Sequence, residues 1–341
     1  MNALFLPCLV LALFLSASLA SPVVVSESAS AAAANPASAS PAVLNSASKL
    51  SPAVPNSELS SSVGLLPLPI PIAAPNPISL ALYEDFVLYT KYSSAAYQPF
   101  CARPVGRVLV RAFEIGHTQG FIARDPARLE IVVVFRGTFS LKDAVTDAKF
   151  LLVPFESPGI VELVHVHRGF LGAYQNVSDQ VVGIVAKELK EYPEFRVVVT
   201  GHSLGGAIAS LAAPSIKAAL PDAVVKLYTF GQPRAGNAKF ARYVERMVGA
   251  ENIHRAVHTL DGVPTMVPRI FGYEHFATEY WQFRDPLPGP FALVAPHETV
   301  TKCEGNEDKK CSVQFPSGGI NPFHTFYFGQ AVMAVNPLLC R

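Results

Sequence analysis

The 341-residue sequence has almost no excess of charge of either sign: Lys and Arg number 27, Asp and Glu 26, and the formal net charge at pH 7 is +1. That balance argues against nucleic acid or an anionic surface as the main partner. Long apolar runs are scarce as well. After the first twenty residues none is long enough to cross a bilayer, so no transmembrane segment is expected. Met1–Ala20 has a short leucine-rich core, Leu4 to Leu15, and ends in Ser18-Leu19-Ala20, the small-x-small pattern of signal-peptidase cleavage, although its only positive charge is the α-amino group. It reads as a secretory signal, which makes the chain extracellular. Residues 21–76 hold almost no charge (Glu27, Lys49, Glu58) and no aromatic side chain. Such a Ser/Ala/Pro stretch offers too little apolar surface to fold. It is expected to be a disordered pro-segment or stalk, or a plain flexible tail, since no dibasic processing site is visible. What remains, residues 77–341, suffices for one large α/β domain.

Cysteine is sparse too. Cys8 leaves with the signal, and Cys101, Cys303, Cys311 and Cys340 remain. An even count in a secreted chain suggests two disulfides, with three possible connectivities. Cys303 and Cys311 bracket a polar loop, and Cys101 and Cys340 would then tie the start of the domain to its end. The spacings fit no common zinc pattern, so no metal is expected. Asn176-Val177-Ser178 is the one N-glycosylation sequon, on a segment expected to be exposed.

The richest stretch is Val197–Gly206. A β-branched run, Val197 to Thr200, predicts a buried strand; Gly201-His202-Ser203-Leu204-Gly205 is a G-x-S-x-G turn; and Gly206 to Ala212 opens a helix. Glycines on both sides free the backbone to take the strained turn that presents a serine hydroxyl. The N-terminus of the helix brings unpaired N–H groups and a positive dipole end, making the N–H of Leu204 the first candidate oxyanion donor.

Around that elbow the sequence predicts a helix over Leu80–Tyr97 and strands over Arg107–Ile115 and Thr118–Ala123. A turn is expected at Arg124-Asp125-Pro126, and a strand buried on both faces over Leu129–Phe135. The last of these ends in Arg136-Gly137-Thr138, where α/β folds place their chemistry. Thr138 is a candidate second oxyanion donor, though a plain turn threonine reads equally well. Leu141, Ala144, Val145 and Ala148 then share one helical face, which suits either a lid or an ordinary surface helix. Leu151–Phe155 is an apolar run for an acyl groove or for the core. A helical stripe from Leu171 to Leu189 leads into the elbow strand. Beyond the elbow come a strand over Val224–Phe230, a helix over Ala238–Val248 and a strand over Ile253–Leu260 ending in Asp261.

A serine needs a base to take its proton and a carboxylate to orient that base. In the chain order serine, acid, histidine, Asp261 fits better than Asp222 in a turn or Glu245 in a helix. His275, His297 and His324 follow it. His324 lies in a loop near the chain end, with aromatic residues after it that would anchor it. His202, inside the elbow, suits a structural role.

These pieces together resemble the fungal class 3 lipases, most closely their secreted yeast members. The match rests on Phe135-Arg136-Gly137-Thr138, Val166-His167-Arg168-Gly169-Phe170, Thr200 to Ala207, Gly231-Gln232-Pro233-Arg234-Ala235-Gly236-Asn237, Asp261-Gly262-Val263-Pro264 and His324-Thr325-Phe326-Tyr327-Phe328-Gly329. The resemblance implies an α/β-hydrolase fold with a mostly parallel sheet. It implies Ser203 as nucleophile, His324 as base and Asp261 as its orienter. It also implies Thr138 and Leu204 as the oxyanion hole, the segment after Thr138 as lid, and the pairings Cys101–Cys340 and Cys303–Cys311. His275 matches a family position near the site, outside the triad. The activity implied is that of a secreted triacylglycerol lipase, monomeric and without metal or cofactor, working on lipid at an oil–water interface. Two other readings remain beside it: an esterase for soluble, aryl or phospholipid esters on the same fold, and a surface-associated binding protein without catalysis.

Overall fold

The middle of the fold follows from two runs that are apolar at nearly every position. In β3 (Glu130–Phe135) and β6 (Arg196–His202), Ile131, Val133, Phe135, Val197 and Val199 face one core, while Val132, Val134 and Val198 face the other. A strand with both faces covered has no polar side, which is why neither run alternates with polar residues. The computed structural model describes residues 72–138, 150–289, 292–315 and 317–341, which fall in one compact unit, Val63–Arg341. The expected signal, the leader up to residue 71 and the expected lid residues Leu141, Ala144, Val145 and Ala148 lie outside them.

The two strands belong to an eight-stranded sheet with β1 (Val108–Ile115), β2 (Thr118–Asp125), β7 (Val225–Phe230), β9 (Ile253–His258), β11 (Glu279–Gln282) and β12 (Val300–Lys302). Its order is β1-β2-β3-β6-β7-β9-β11-β12. From β3 to β11 neighbours run parallel, and β1, β2 and β12 add antiparallel edges. Helix α1 (Leu80–Ala95) packs Phe86, Tyr89 and Tyr92 onto one face. The opposite face is covered by α2 (Arg168–Gln175), α3 (Ser178–Glu191), α4 (Leu204–Ala219) and α5 (Ala238–Val248). Each large apolar side chain buried this way contributes about 1.5–3 kcal/mol. This is the α/β-hydrolase arrangement, with the carboxyl ends of the parallel strands free to carry a site.

Four short strands make a second sheet beside it: β4 (Leu152–Pro154), β5 (His165–His167), β8 (Gly236–Asn237) and β10 (Tyr273–Glu274). The apolar run Leu151–Phe155 therefore supplies a strand, and its Phe155 is core, packed edge-on against Phe240 and Tyr243. The stripe from Leu171 to Leu189 is split into α2 and α3 at Asn176-Val177, yet Tyr174, Val177 and Val181 all remain buried. The turn expected at Arg124–Pro126 begins later. Asp125 still pairs with Glu130 in the β2–β3 ladder, and its carboxylate is buried against Arg107 and Tyr92. Disulfides join Cys101 to Cys340 and Cys303 to Cys311. Residues 72–77 run beside β12, with Ala74 bonded to Glu298 and Asn76 to Lys302.

Candidate active site

The elbow is built from close backbone approaches. Ser203 sits between β6 and α4 at φ 61° and ψ −127°, a sparsely populated conformation for a residue with a side chain. A Cβ on Gly201 would strike the backbone of Gly205, and one on Gly205 would strike the carbonyl of Phe135. Only glycine lets β3, the turn and the helix start come this close. The N–H of Ser203 donates to the Phe230 carbonyl at 2.8 Å, fixing the turn to β7. The first N–H groups of α4 have no intrahelical carbonyl to meet, and their positive end lies beside the Ser203 hydroxyl.

Three side chains from three segments converge there. His324 Nε2 is 2.9 Å from Ser203 Oγ, and His324 Nδ1 is 2.9 Å from Asp261 Oδ2. Asp261 follows β9 by three residues; His324 lies in a 3-10 turn, Pro322–Thr325. A second donor reaches Asp261 Oδ2, the hydroxyl of Tyr327, and the Val263 N–H donates to Oδ1 at 2.9 Å. Burial pushes the Asp261 carboxyl up, but the charge and hydrogen bond of His324, with the Tyr327 and Val263 donors, outweigh it and hold the group below its ordinary value of 3.8. Ser203, Asp261 and His324 are all nearly closed to solvent.

His202 also reaches this loop. Its Nε2–H donates to the His324 carbonyl at 2.7 Å, and its Nδ1 accepts from the Tyr97 hydroxyl at 2.9 Å. Burial and then the neighbouring His324 charge pull its pKa down to about 3, so it stays neutral and keeps that donor–acceptor pattern. Thr138 lies half-buried one residue beyond Gly137, whose Cβ, were there one, would be 3.2 Å from Ser203 Cβ. The alternatives fall elsewhere. His275 is buried with Nε2 on the Pro264 carbonyl, and burial, with the Arg255 charge, drives its pKa well down. His297 lies in a short turn, Pro296–Thr299. Asp222 is exposed, and Glu245 accepts from the Ala277 N–H. Asn176 is exposed at the end of α2.

Two participants have no role assigned by the sequence, although both lie in stretches that carry the resemblance. Tyr327 was legible only as one of several aromatic residues after His324. Gly231, with φ +56°, lies under the acid and base: a Cβ there would be 2.7 Å from Asp261 Oδ2 and 2.9 Å from His324 Cε1. A hydroxyl, an imidazole and a carboxylate linked in this order can pass a proton as the oxygen attacks a carbonyl, with N–H donors waiting for the charge that develops.

The family model for lipase (class 3) matches residues 132–271. A secreted mono- and diacylglycerol lipase of Fusarium solani is 36% identical over 248 residues, which span 67% of this chain and 71% of the relative. A lipase of Rhizomucor miehei is 36% identical over 232 residues, covering 65% of this chain and 57% of the relative. Among solved structures, the lipase from Rhizopus microsporus var. chinensis superimposes with a TM-score of 0.67 at 31% identity, over 79% of this chain and 95% of that one.

Proposed function

Because the chain belongs to the class 3 lipase family, we propose that Ser203, His324 and Asp261 are its catalytic triad and that its substrates are acylglycerols at an oil–water interface. The Ser203–His324–Asp261 hydrogen-bond chain carries this reading. His324 Nε2 takes the proton of Ser203 Oγ as the oxygen attacks the ester carbonyl, and Asp261 balances the imidazolium that forms. The N–H groups of Leu204 and Thr138 receive the oxyanion. The alcohol leaves with the proton from His324, and a water molecule, deprotonated by the same nitrogen, releases the acid.

Residues 1–20 act as a secretory signal and the chain works outside the cell. The mono- and diacylglycerol lipase of Fusarium solani, which is described as secreted, supports that placement. Residues 21–71 form a pro-segment or stalk ahead of a catalytic domain that takes in residues 72–76 as well as the expected 77–341, Asn176 carries a glycan, and the segment after Thr138 acts as the lid. The test is hydrolysis of tributyrin raised through its solubility limit, beside Ser203→Ala. A jump in rate as droplets form, absent in the variant, supports the proposal. A saturating curve with no further rise points to an esterase for soluble esters, and activity retained by Ser203→Ala removes the triad.

A further inference from the structure

The loop that carries His324 is held by two imidazoles. One, His202, reaches the His324 carbonyl from the elbow; the other, His258, is the last residue of β9 and reaches the carbonyl of the residue before it. His258 Nδ1 is 3.0 Å from the Phe323 oxygen. A carbonyl only accepts, so Nδ1 carries the hydrogen and donates. On the other side of the ring, Nε2 is 3.2 Å from Asp285 Oδ1, a carboxylate oxygen that accepts from Gln282 Nε2 at 3.2 Å and accepts from the ring when Nε2 carries a hydrogen as well, as in the imidazolium. The ring is buried, 2% exposed, and its faces and edges meet Phe323, Phe326 and Tyr327 at centroid distances of 5.6–6.0 Å.

His258 also stands at the root of the turn that delivers the acid. Its carbonyl accepts from the Asp261 N–H at 2.9 Å. One residue is thus joined through its backbone to Asp261 and through its ring to the peptide preceding His324. We propose that His258 is a positioning residue for the reaction: it sets the spacing between the acid-bearing turn and the base-bearing loop, with Asp285 fixing the rotation of its ring. Within the loop Asn321 makes an independent tie, donating to the Leu260 carbonyl at 2.7 Å and accepting from the Phe323 N–H at 3.0 Å. Losing the His258 bond therefore leaves the loop attached but no longer fixed. The inference rests on the triad assignment above.

The experiment measures kcat and KM on a soluble p-nitrophenyl ester for four variants, together with inactivation by a fluorophosphonate and thermal unfolding. His258→Asn places an amide N–H near the Nδ1 position and keeps the bond to Phe323; His258→Gln moves its amide towards Asp285; His258→Ala has neither. Asp285→Ala, at a half-exposed position, removes only the orienting carboxylate. A misplacement on the ångström scale costs up to about 10²-fold in rate. Expected are kcat losses of about 10- to 100-fold for the Ala and Gln variants at His258, with KM within about twofold. His258→Asn is expected within about threefold of the parent, and Asp285→Ala a few-fold below it with unchanged unfolding. Fluorophosphonate inactivation slows in the same order. Equal kcat in all four, or equal loss in Asn and Ala at position 258, overturns the proposal. Should His258→Ala fail to fold, the Asn-against-Gln comparison and Asp285→Ala decide it. Ser203→Ala and His324→Ala run alongside: turnover surviving in those would sink the triad itself, whereas dead triad variants beside an unaffected His258→Ala sink only the positioning role.

Discussion

Tyr327→Phe removes one oxygen from the site and little else. The ring stays packed against Phe230, His202 and His258, at centroid distances of 5.9, 5.7 and 5.6 Å. What is lost is the hydroxyl that donates to Asp261 Oδ2 and accepts from the His258 backbone N–H, leaving the carboxylate His324 Nδ1 and the Val263 N–H. A hydrogen bond to a charged group contributes about 1.5–3 kcal/mol. In domains near this size each kcal/mol is about 2–4 °C in Tm, so a drop of several degrees is expected at pH 7. If about half of that bond also steadies the carboxylate against the imidazolium in the transition state, kcat falls about 3- to 12-fold, since each decade is about 1.4 kcal/mol. The pH dependence has a definite sign. Asp261 is held below its ordinary 3.8 in the folded protein, so its stabilising contribution is present above that value and fades as pH falls through the depressed one. Tyr327→Phe raises the folded value, and the Tm gap between variant and parent shrinks as the buffer goes from pH 7 towards pH 3. Thermal unfolding across that range, with kcat at pH 7, is the assay. A gap that is constant or widens in acid, or a variant indistinguishable from the parent in both Tm and kcat, refutes the reasoning.

Other changes have equally definite consequences. Thr138→Val keeps the Thr138 N–H and removes a hydroxyl proposed to join it as an oxyanion donor, which should cost about 10²–10³ in kcat with KM little changed, measured on a soluble ester; a loss below threefold would leave the oxyanion to the backbone N–H groups alone. Gly231→Ala must accommodate a methyl 2.7 Å from Asp261 Oδ2 at a positive φ, so kcat should fall by more than about 100-fold while far-UV circular dichroism is retained, and normal turnover would mean the acid–base pair tolerates displacement. Glu307 is buried, which raises its pKa, but the Arg234 hydrogen bonds and charge, with the His275 backbone N–H that donates to it, bring it down to about 2 from 4.5. Its contribution is present above 4.5 and is lost as pH falls towards 2. Glu307→Ala, which strands the Arg234 charge, should cost about 3–5 kcal/mol at pH 7 and much less at pH 2–3 in denaturant unfolding, and an equal cost at both pH values would contradict the pairing.

The parts of this fold that the sequence announces are those decided locally. The elbow is one: a β-branched run, two obligatory glycines and an alanine-rich helix start state their own geometry. The buried strands β3 and β6 are another, because burial on both faces leaves a continuous apolar run. Where distant residues decide, the reading slips. The strand before Asp261 was expected to reach Leu260 and stops at His258, since Thr259 turns to φ 40° and its carbonyl accepts from Trp281 Nε1 in β11. The helix through Asn176 breaks without glycine or proline, and periodicity does not register the break because the stripe stays buried across it. The second sheet is made of strands two or three residues long, and apart from the β4–β5 pair their partners lie dozens of residues away, so no local pattern marks them. In the site the same division holds. Ser203, Asp261 and His324 follow from motif and chain order, whereas Tyr327 and Gly231 matter through contacts across 66 and 30 residues or more.

The most direct measurement is covalent labelling with a fluorophosphonate followed by peptide mass spectrometry. The account predicts one phosphonyl group per chain, on the peptide holding Ser203, with none in Ser203→Ala and strongly slowed labelling in His324→Ala. Label on another residue, or ester hydrolysis that continues with Ser203 unmodified, would contradict it.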